Sequence, residues 1–198
     1  MIKRFWHWFK SPSRMAVGVV ILLSALAGII AWGGLNEAVE YTSTEEFCSQ
    51  CHMNDVVPEY RQTIHYANHS GVRAACGDCH LPHEFVPKWM RKIKAVGEVY
   101  GYFAGTIDTR EKFESKRLEM AEHEWERMKA NNSQECRNCH AFKAMDFSQQ
   151  RPVAARMHQK AIEEGKTCID CHKGIAHQLP DMSGVKSGLL PDEKEDKE

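Results

Sequence analysis

Cys48-Ser-Gln-Cys51-His52 is followed along the chain by Cys76-Gly-Asp-Cys79-His80, Cys136-Arg-Asn-Cys139-His140 and Cys168-Ile-Asp-Cys171-His172. These four runs contain all 8 cysteines of the 198-residue chain. One spacing repeated four times with no thiol left over is not a chance pattern. Cys-x-x-Cys-His is the signature of c-type haem attachment, with two thioethers to the porphyrin edge and an imidazole turned under the ring to the iron. Zinc ribbons pair Cys-x-x-Cys units about 15–20 residues apart, and they need no His after each second Cys. Disulfides leave the histidines equally unexplained. The expected cofactors are therefore four covalently bound c-type haems, with His52, His80, His140 and His172 as proximal iron ligands.

The motifs start at 48, 76, 136 and 168, at intervals of 28, 60 and 32. This short-long-short pattern predicts a duplicated di-haem unit, with halves at about 44–105 and 106–182. The remaining histidines repeat with it. His65 and His158 precede Cys76 and Cys168 by 11 and 10 residues, while His83 and His177 follow His80 and His172 by three and five. Four extra imidazoles for four irons are candidate distal ligands. Two-histidine ligation closes both axial positions and suits electron transfer. His69, one helical turn from His65, is a rival ligand; His7 and His123 have no counterparts.

Outward from the motifs, Met15–Leu35 holds 16 apolar residues in 21 and no charge. At ~1.5 Å per residue it spans a ~30 Å hydrocarbon layer as one helix. Residues 1–14 contain Lys3, Arg4, Lys10 and Arg14 and no acid, so this segment is read as cytoplasmic. Trp6, Trp8 and Trp32 fall where interfacial aromatics belong. A cleaved signal peptide is the competing reading, but its apolar region is typically ~7–15 residues and ends in a small-x-small site. The sequence thus divides into a basic segment (1–14), an anchor (15–35), an exported tetrahaem domain (36–182) and a charged tail (183–198).

Outside the anchor only about 38% of residues are apolar, low for a side-chain core against a usual ~45–50% that includes Gly. Haem macrocycles would supply the missing apolar surface. A net charge of −1 excludes the simplest nucleic-acid reading. It also conceals a balance of −5 from residue 36 onward, which favours salt-sensitive docking to a partner. The fold class expected is mainly α with much irregular loop. One helix is expected from Pro87, with an apolar stripe at Trp89, Met90, Ile93, Val96, Tyr100 and Phe103. A second opens at Asp108 or Thr109, with Phe113, Leu118, Ala121, Trp125 and Met128 as its stripe. Both stripes are expected to pack on haem faces.

Thr44-Glu-Glu-Phe-Cys48, Ser70-Gly-Val-Arg-Ala74, Cys79-His-Leu-Pro-His83-Glu-Phe-Val-Pro-Lys88, Asn131-Asn-Ser-Gln-Glu-Cys136 and Thr167-Cys-Ile-Asp-Cys171-His-Lys-Gly-Ile-Ala-His177 carry a family resemblance. Over nearly its whole length the sequence resembles the NapC/NirT family of membrane-anchored tetrahaem quinol dehydrogenases. The resemblance implies a single-pass protein of the bacterial inner membrane, with a cytoplasmic N-terminus and a periplasmic haem domain. It would oxidise membrane quinol (menaquinol or ubiquinol) and pass electrons to a periplasmic reductase, usually nitrate reductase. His65, His83, His158 and His177 match the family's distal positions. In members that serve nitrite reductase, the first haem takes a Met two residues after the motif His. Here Asn54 fills that slot and Met53 stands one residue early, leaving the ligand open among His52, Met53 and a more distant group.

The resemblance also implies a quinol site at Lys92 and Glu98. Six residues on a helix leave those two side chains about 120° apart, and Lys94–Glu98 is an ordinary i,i+4 pair. The alternative function is a tethered electron carrier without a quinol site, fed by another membrane protein. Catalysis at an open iron is a third reading, which only the first haem leaves room for.

Overall fold

Among the described residues the longest helix is Val17–Tyr41 (α2), after a short α1 at Ile2–Phe9. The computed structural model describes residues 2–9, 16–52, 56–183 and 185, so most of the expected tail at 183–198 lies outside the described residues. Residues 1–42 form one unit and 43–198 another. At ~1.5 Å per residue α2 is about 37 Å long, and none of its side chains is buried. It runs six residues past the expected anchor end at Leu35. Asn36 to Tyr41 lose the hydrophobicity but keep the helical hydrogen bonding, and the Asn36 amide itself donates to Trp32 O at 2.7 Å. The helix ends where the Thr42 hydroxyl donates back to Ala38 O at 2.8 Å.

The second unit is helical, with no strand among the described residues. Its elements are α3 (Glu45–His52), α4 (Val57–Tyr60), α5 (Cys76–His80), α6 (Phe85–Phe103), α7 (Arg110–Ala130), α8 (Gln134–Arg137), α9 (Pro152–Glu163) and α10 (Cys168–Cys171). Two short 3₁₀ turns, Phe142–Ala144 and Phe147–Gln149, connect α8 to α9. The expected capping of the second long helix holds: Thr109 is the N-cap of α7, and its hydroxyl accepts from Lys112 N–H. α7 closes through Asn132 and Ser133, both at positive φ (59° and 51°). The Ser133 N–H donates to Met128 O at 2.6 Å.

Among the described residues the buried apolar side chains are only Val57, Tyr60, Phe113, Met128 and Ile169, matched in number by buried Ser49, Glu59, Arg117, Ser133 and Glu135. Such an interior is too small and too polar to hold a unit of this length by hydrophobic burial alone. It agrees with the low apolar content of the sequence.

Candidate haem centres

Each Cys-x-x-Cys-His run sits on a single helical turn. α3 carries the first motif and α5 the second, while α8 and α10 open the third and fourth. The His140 N–H returns to Cys136 O and the His172 N–H to Cys168 O, both at 2.8 Å, so the last two motifs share one local geometry. The second and fourth share another. The Asp78 carboxylate accepts from Ala75 N–H at 2.8 Å, and Asp170 accepts from Thr167 N–H at 2.8 Å. The Asp in Cys-Gly-Asp-Cys and Cys-Ile-Asp-Cys thus caps its own turn by accepting from the backbone N–H of the residue before the motif, a local signal the sequence also carried.

The four motifs are neighbours in chain order. α3 packs on α5 and α5 on α8, and the start of α10 is tied to the start of α8 by Ile169 N–H donating to the Ser133 hydroxyl at 3.2 Å. First cysteines of adjacent motifs meet: Cys48 with Cys76, and Cys136 with Cys168. The hydrogen bond from Cys76 holds Cys48 down to about 6 against burial, with the Lys92 and His80 charges adding to the effect. Cys136 likewise holds Cys168 down to about 6. In both pairs the partner thiol is pushed up by sharing the proton.

Three imidazole pairs are assembled. Ring centres lie 6.4 Å apart for His65 and His140, 6.1 Å for His80 and His177, and 5.8 Å for His158 and His172. Metal–nitrogen bonds of about 2 Å, with ring centres about 1.1 Å beyond each nitrogen, put two imidazoles on opposite sides of one iron about 6 Å apart. The spacing therefore fits an iron between each pair. Buried His65 Nδ1 has no hydrogen-bond partner among the described residues. Two of the pairs cross between the halves marked by motif spacing. His65 meets the third motif and His177 the second, because spacing records distance along the chain and not the path of the loops. His83 is elsewhere: it is exposed, with Nε2 3.7 Å from Asp78 Oδ1. His69 is exposed. Met53 lies outside the described residues, as does the side chain of His52.

α7 fixes three of the motifs with charge. Glu124 Oε1 is 2.9 Å from His80 Nδ1. Arg127 holds Glu124, donates to Cys79 O at 3.0 Å, and reaches Glu135 beside the third motif at 2.6 Å. Asn131 donates to both oxygens of that Glu135. Lys129 pairs with Asp170 of the fourth motif at 2.8 Å, and Lys173 stacks over Trp125 with its ammonium 5.3 Å from the ring centre. Burial would raise the Glu124 carboxyl, but hydrogen bonds from His80 and Arg127 outweigh it and hold the group down to about 2. A carboxylate on the far nitrogen of a metal-binding imidazole orients the ring and raises its basicity. The corresponding contact on His158 is neutral, Gln150 Oε1 at 2.7 Å from Nδ1.

A second charged cluster sets His177 in place. Buried Glu59 takes Arg117 on both carboxylate oxygens, with Nη1–Oε1 at 2.9 Å. It also accepts from Gln178 N–H at 2.8 Å, while Arg117 donates to Gln178 O at 2.6 Å. α4 and α7 thereby hold the residue next to His177. The approach passes through Gly174, whose φ is +73° and where a Cβ would stand 2.7 Å from Leu179. Sequence reasoning missed Glu59, Arg117, Glu124 and Arg127, since isolated charged residues carry no periodic or spacing signal.

Of the expected quinol-site pair, Lys92 is half-buried, and its charge acts on Cys48 of the first motif. Glu98 is exposed and paired with Arg91, Nη1–Oε1 at 2.9 Å.

The family model for the NapC/NirT cytochrome c family, N-terminal region, matches residues 10–182. The chain belongs to this family. Cytochrome c-type protein NapC of Haemophilus influenzae is 61% identical over 194 residues, covering 98% of this chain and 96% of that protein. NapC of Escherichia coli K12 is 57% identical over 191 residues, covering 96% of each. Denitrification system component NirT of Stutzerimonas stutzeri is 52% identical over 174 residues, covering 87% of each. Membership of this family makes the chain an electron-transfer cytochrome that carries c-type haem, and the one helix among the described residues long and apolar enough to cross a membrane, near the N-terminus, fits a membrane anchor.

Proposed function

We propose that this protein takes electrons from membrane quinol and delivers them to a periplasmic reductase, as the donor in nitrate reduction. The observation that carries the reading is the set of three imidazole pairs at one-iron spacing, in a row of four motifs that are neighbours in chain order. Four c-type haems bound there supply one-electron redox chemistry at iron. Cys48 and Cys51, Cys76 and Cys79, Cys136 and Cys139, and Cys168 and Cys171 would each hold one by thioethers. His80 with His177, His140 with His65, and His172 with His158 would hold three of the irons, two imidazoles to each. That leaves no coordination site there for a small substrate and favours electron transfer over catalysis at the metal.

His52 is the proximal ligand of the first motif, with Met53 or His83 as the other candidates there. Quinol oxidation releases two protons with two electrons, so a cation near the quinol oxygen and a carboxylate to accept a proton both assist. Lys92 supplies the cation, beside the first motif. Glu98 supplies the carboxylate after leaving Arg91. Residues 1–14 stay in the cytoplasm, Val17–Tyr41 crosses the inner membrane, and the unit from Ser43 onward is periplasmic.

The test is full-length, haem-loaded protein in detergent, mixed with a reduced quinol analogue. Full reduction of the haem bands at a rate that falls at least tenfold in Lys92→Gln, with unchanged spectra, supports the proposal. Protein that dithionite reduces and quinol does not would overturn it. Pyridine haemochrome absorbance per chain tests the number of haems.

A further inference from the structure

Ser70-Gly-Val-Arg-Ala74, one of the runs that carry the family resemblance, lies between His65 and the second motif and folds back onto His65. Asn68 shapes the turn. Its Oδ1 accepts from Ser70 N–H at 3.0 Å, and its Nδ2 donates to Ile64 O at 2.8 Å and to Val72 O at 2.7 Å. Gly71 completes the turn at φ +72°, a left-handed value that favours glycine. The chain returns so that Ala74 N–H donates to His65 O at 3.0 Å. The other backbone group of that residue is used as well, Ala74 O accepting from the Tyr60 hydroxyl at 2.7 Å. Buried Tyr60 in turn accepts from Arg73 Nε–H at 3.3 Å. The Arg73 guanidinium lies over the Tyr66 ring, 4.6 Å from its centre. Tyr66 stands edge-on to Tyr60, with ring centres 5.2 Å apart. The far end of Arg73 pairs with Glu45, at the start of the α3 helix that carries the first motif.

His80 and His158 each have Nδ1 fixed by a side chain, Glu124 and Gln150. His65 Nδ1 is buried with no such partner among the described residues. No side chain on the ring sets its angle, so the backbone does. The contacts that fix that backbone, at His65 O and at the neighbouring Tyr66 ring, both lead to Arg73. We propose that Arg73 is a positioning residue for His65, holding its imidazole toward His140 of the third motif. Arginine suits the task because a planar guanidinium stacks on one ring while its edges donate to a hydroxyl and a carboxylate. An ammonium is a point charge and cannot do all three at once. As a plain surface ion pair, Arg73 with Glu45 would contribute little; its value is the geometry it imposes on the loop. Because Glu45 belongs to α3, the same contacts tie the helix of the first motif to the imidazole that faces the third. The inference rests on the His65–His140 pairing and is independent of quinol oxidation.

The experiment uses the full-length, haem-loaded chain in detergent, oxidised, with high-spin and low-spin ferric signals integrated by electron paramagnetic resonance. An iron that loses one of two imidazoles turns from low-spin to high-spin, and added imidazole turns it back. Pyridine haemochrome certifies that each variant carries the native number of haems. His65→Ala sets the scale with one added high-spin haem per chain. Arg73→Gln is expected to give at least about half of that added signal, and excess imidazole to remove it in both. The double variant should show no more than His65→Ala alone, since Arg73 acts through His65. A high-spin gain in His65→Ala with none in Arg73→Gln overturns the inference. So does a double variant that exceeds His65→Ala, which would place the effect of Arg73 at another haem. If Arg73→Gln loads fewer haems, Tyr60→Phe, which removes only the hydroxyl between Ala74 and Arg73, takes its place under the same criteria with a smaller gain expected. No gain in His65→Ala itself would fault the His65–His140 pairing and take this inference with it.

Discussion

α6 and α7 are consecutive long helices of similar length, and they use charge in opposite ways. α7 turns Arg117, Glu124 and Arg127 toward the unit, and each is engaged with a segment that carries or positions a histidine. Its apolar residues Phe113 and Met128 are buried beside them. α6 turns its bases partly inward but offers its apolar side to the outside. In a unit with five buried apolar side chains among its described residues, neither helix is held as a helix of a conventional core would be. α7 is a spine fixed by ion pairs and hydrogen bonds, and α6 is a surface.

The contrast is broken most severely at Arg117. Its replacement by Met removes the bidentate cation from the buried Glu59 carboxylate and leaves only Arg110, whose Nη2 is 3.4 Å from Oε1, a loss toward the lower end of about 3–5 kcal/mol. It also removes the donor to Gln178 O, so low-spin absorbance of one haem should fall along with the thermal midpoint in detergent. Unchanged spectra and midpoint would mean that the cluster does not position His177.

Glu124→Gln comes next. With a neutral partner on His80 Nδ1 the imidazole is a poorer donor, so one haem midpoint should move positive in a potentiometric titration while the others stay. The pH response follows in sign. The native carboxyl is held down to about 2, below its ordinary value of 4.5, so its stabilisation is complete above 4.5 and is lost as pH falls from there toward 2. Acid melting curves should show that loss in the native protein and lack it in Glu124→Gln.

Gly174→Ala is smaller. An alanine at φ +73° facing Leu179 costs about 1–3 kcal/mol, read as a lower melting midpoint with partial loss of the same low-spin signal. The smallest effect is expected on α6. Ile93→Ser should change stability in detergent by no more than about 0.5 kcal/mol. A large destabilisation there would show that the apolar stripe is covered from within the protein and would erase the contrast between the two helices.

The four Cys-x-x-Cys-His turns were legible because the demand is local: two thiols and an imidazole must share one turn, and that is written as a spacing. The long apolar helix and the start of α7 at Thr109 were legible for the same reason. The partner of each histidine was not. His65 and His177 stand in equivalent places along the chain, yet both close onto motifs of the other half through loops whose course no periodicity records. The apolar period of α6 showed that the helix has two sides, but not which one faces the domain. Glu124 became visible only once the fold set it against His80, 44 residues earlier in the chain.

His177 faces an imidazole 97 residues upstream, and it follows the last cysteine by only six. The His158–His172 pair is complete once residue 172 has emerged, and the His65–His140 pair once residue 140 has. The second motif, first-laid of these three, is the last to be closed. During synthesis its imidazole waits with one side open until residue 177 has been added, and the segment from Gly174 to Gln178 then acts as a clasp. A chain cut short after residue 172 would keep every attachment cysteine and two finished pairs, and would be missing only that fastening.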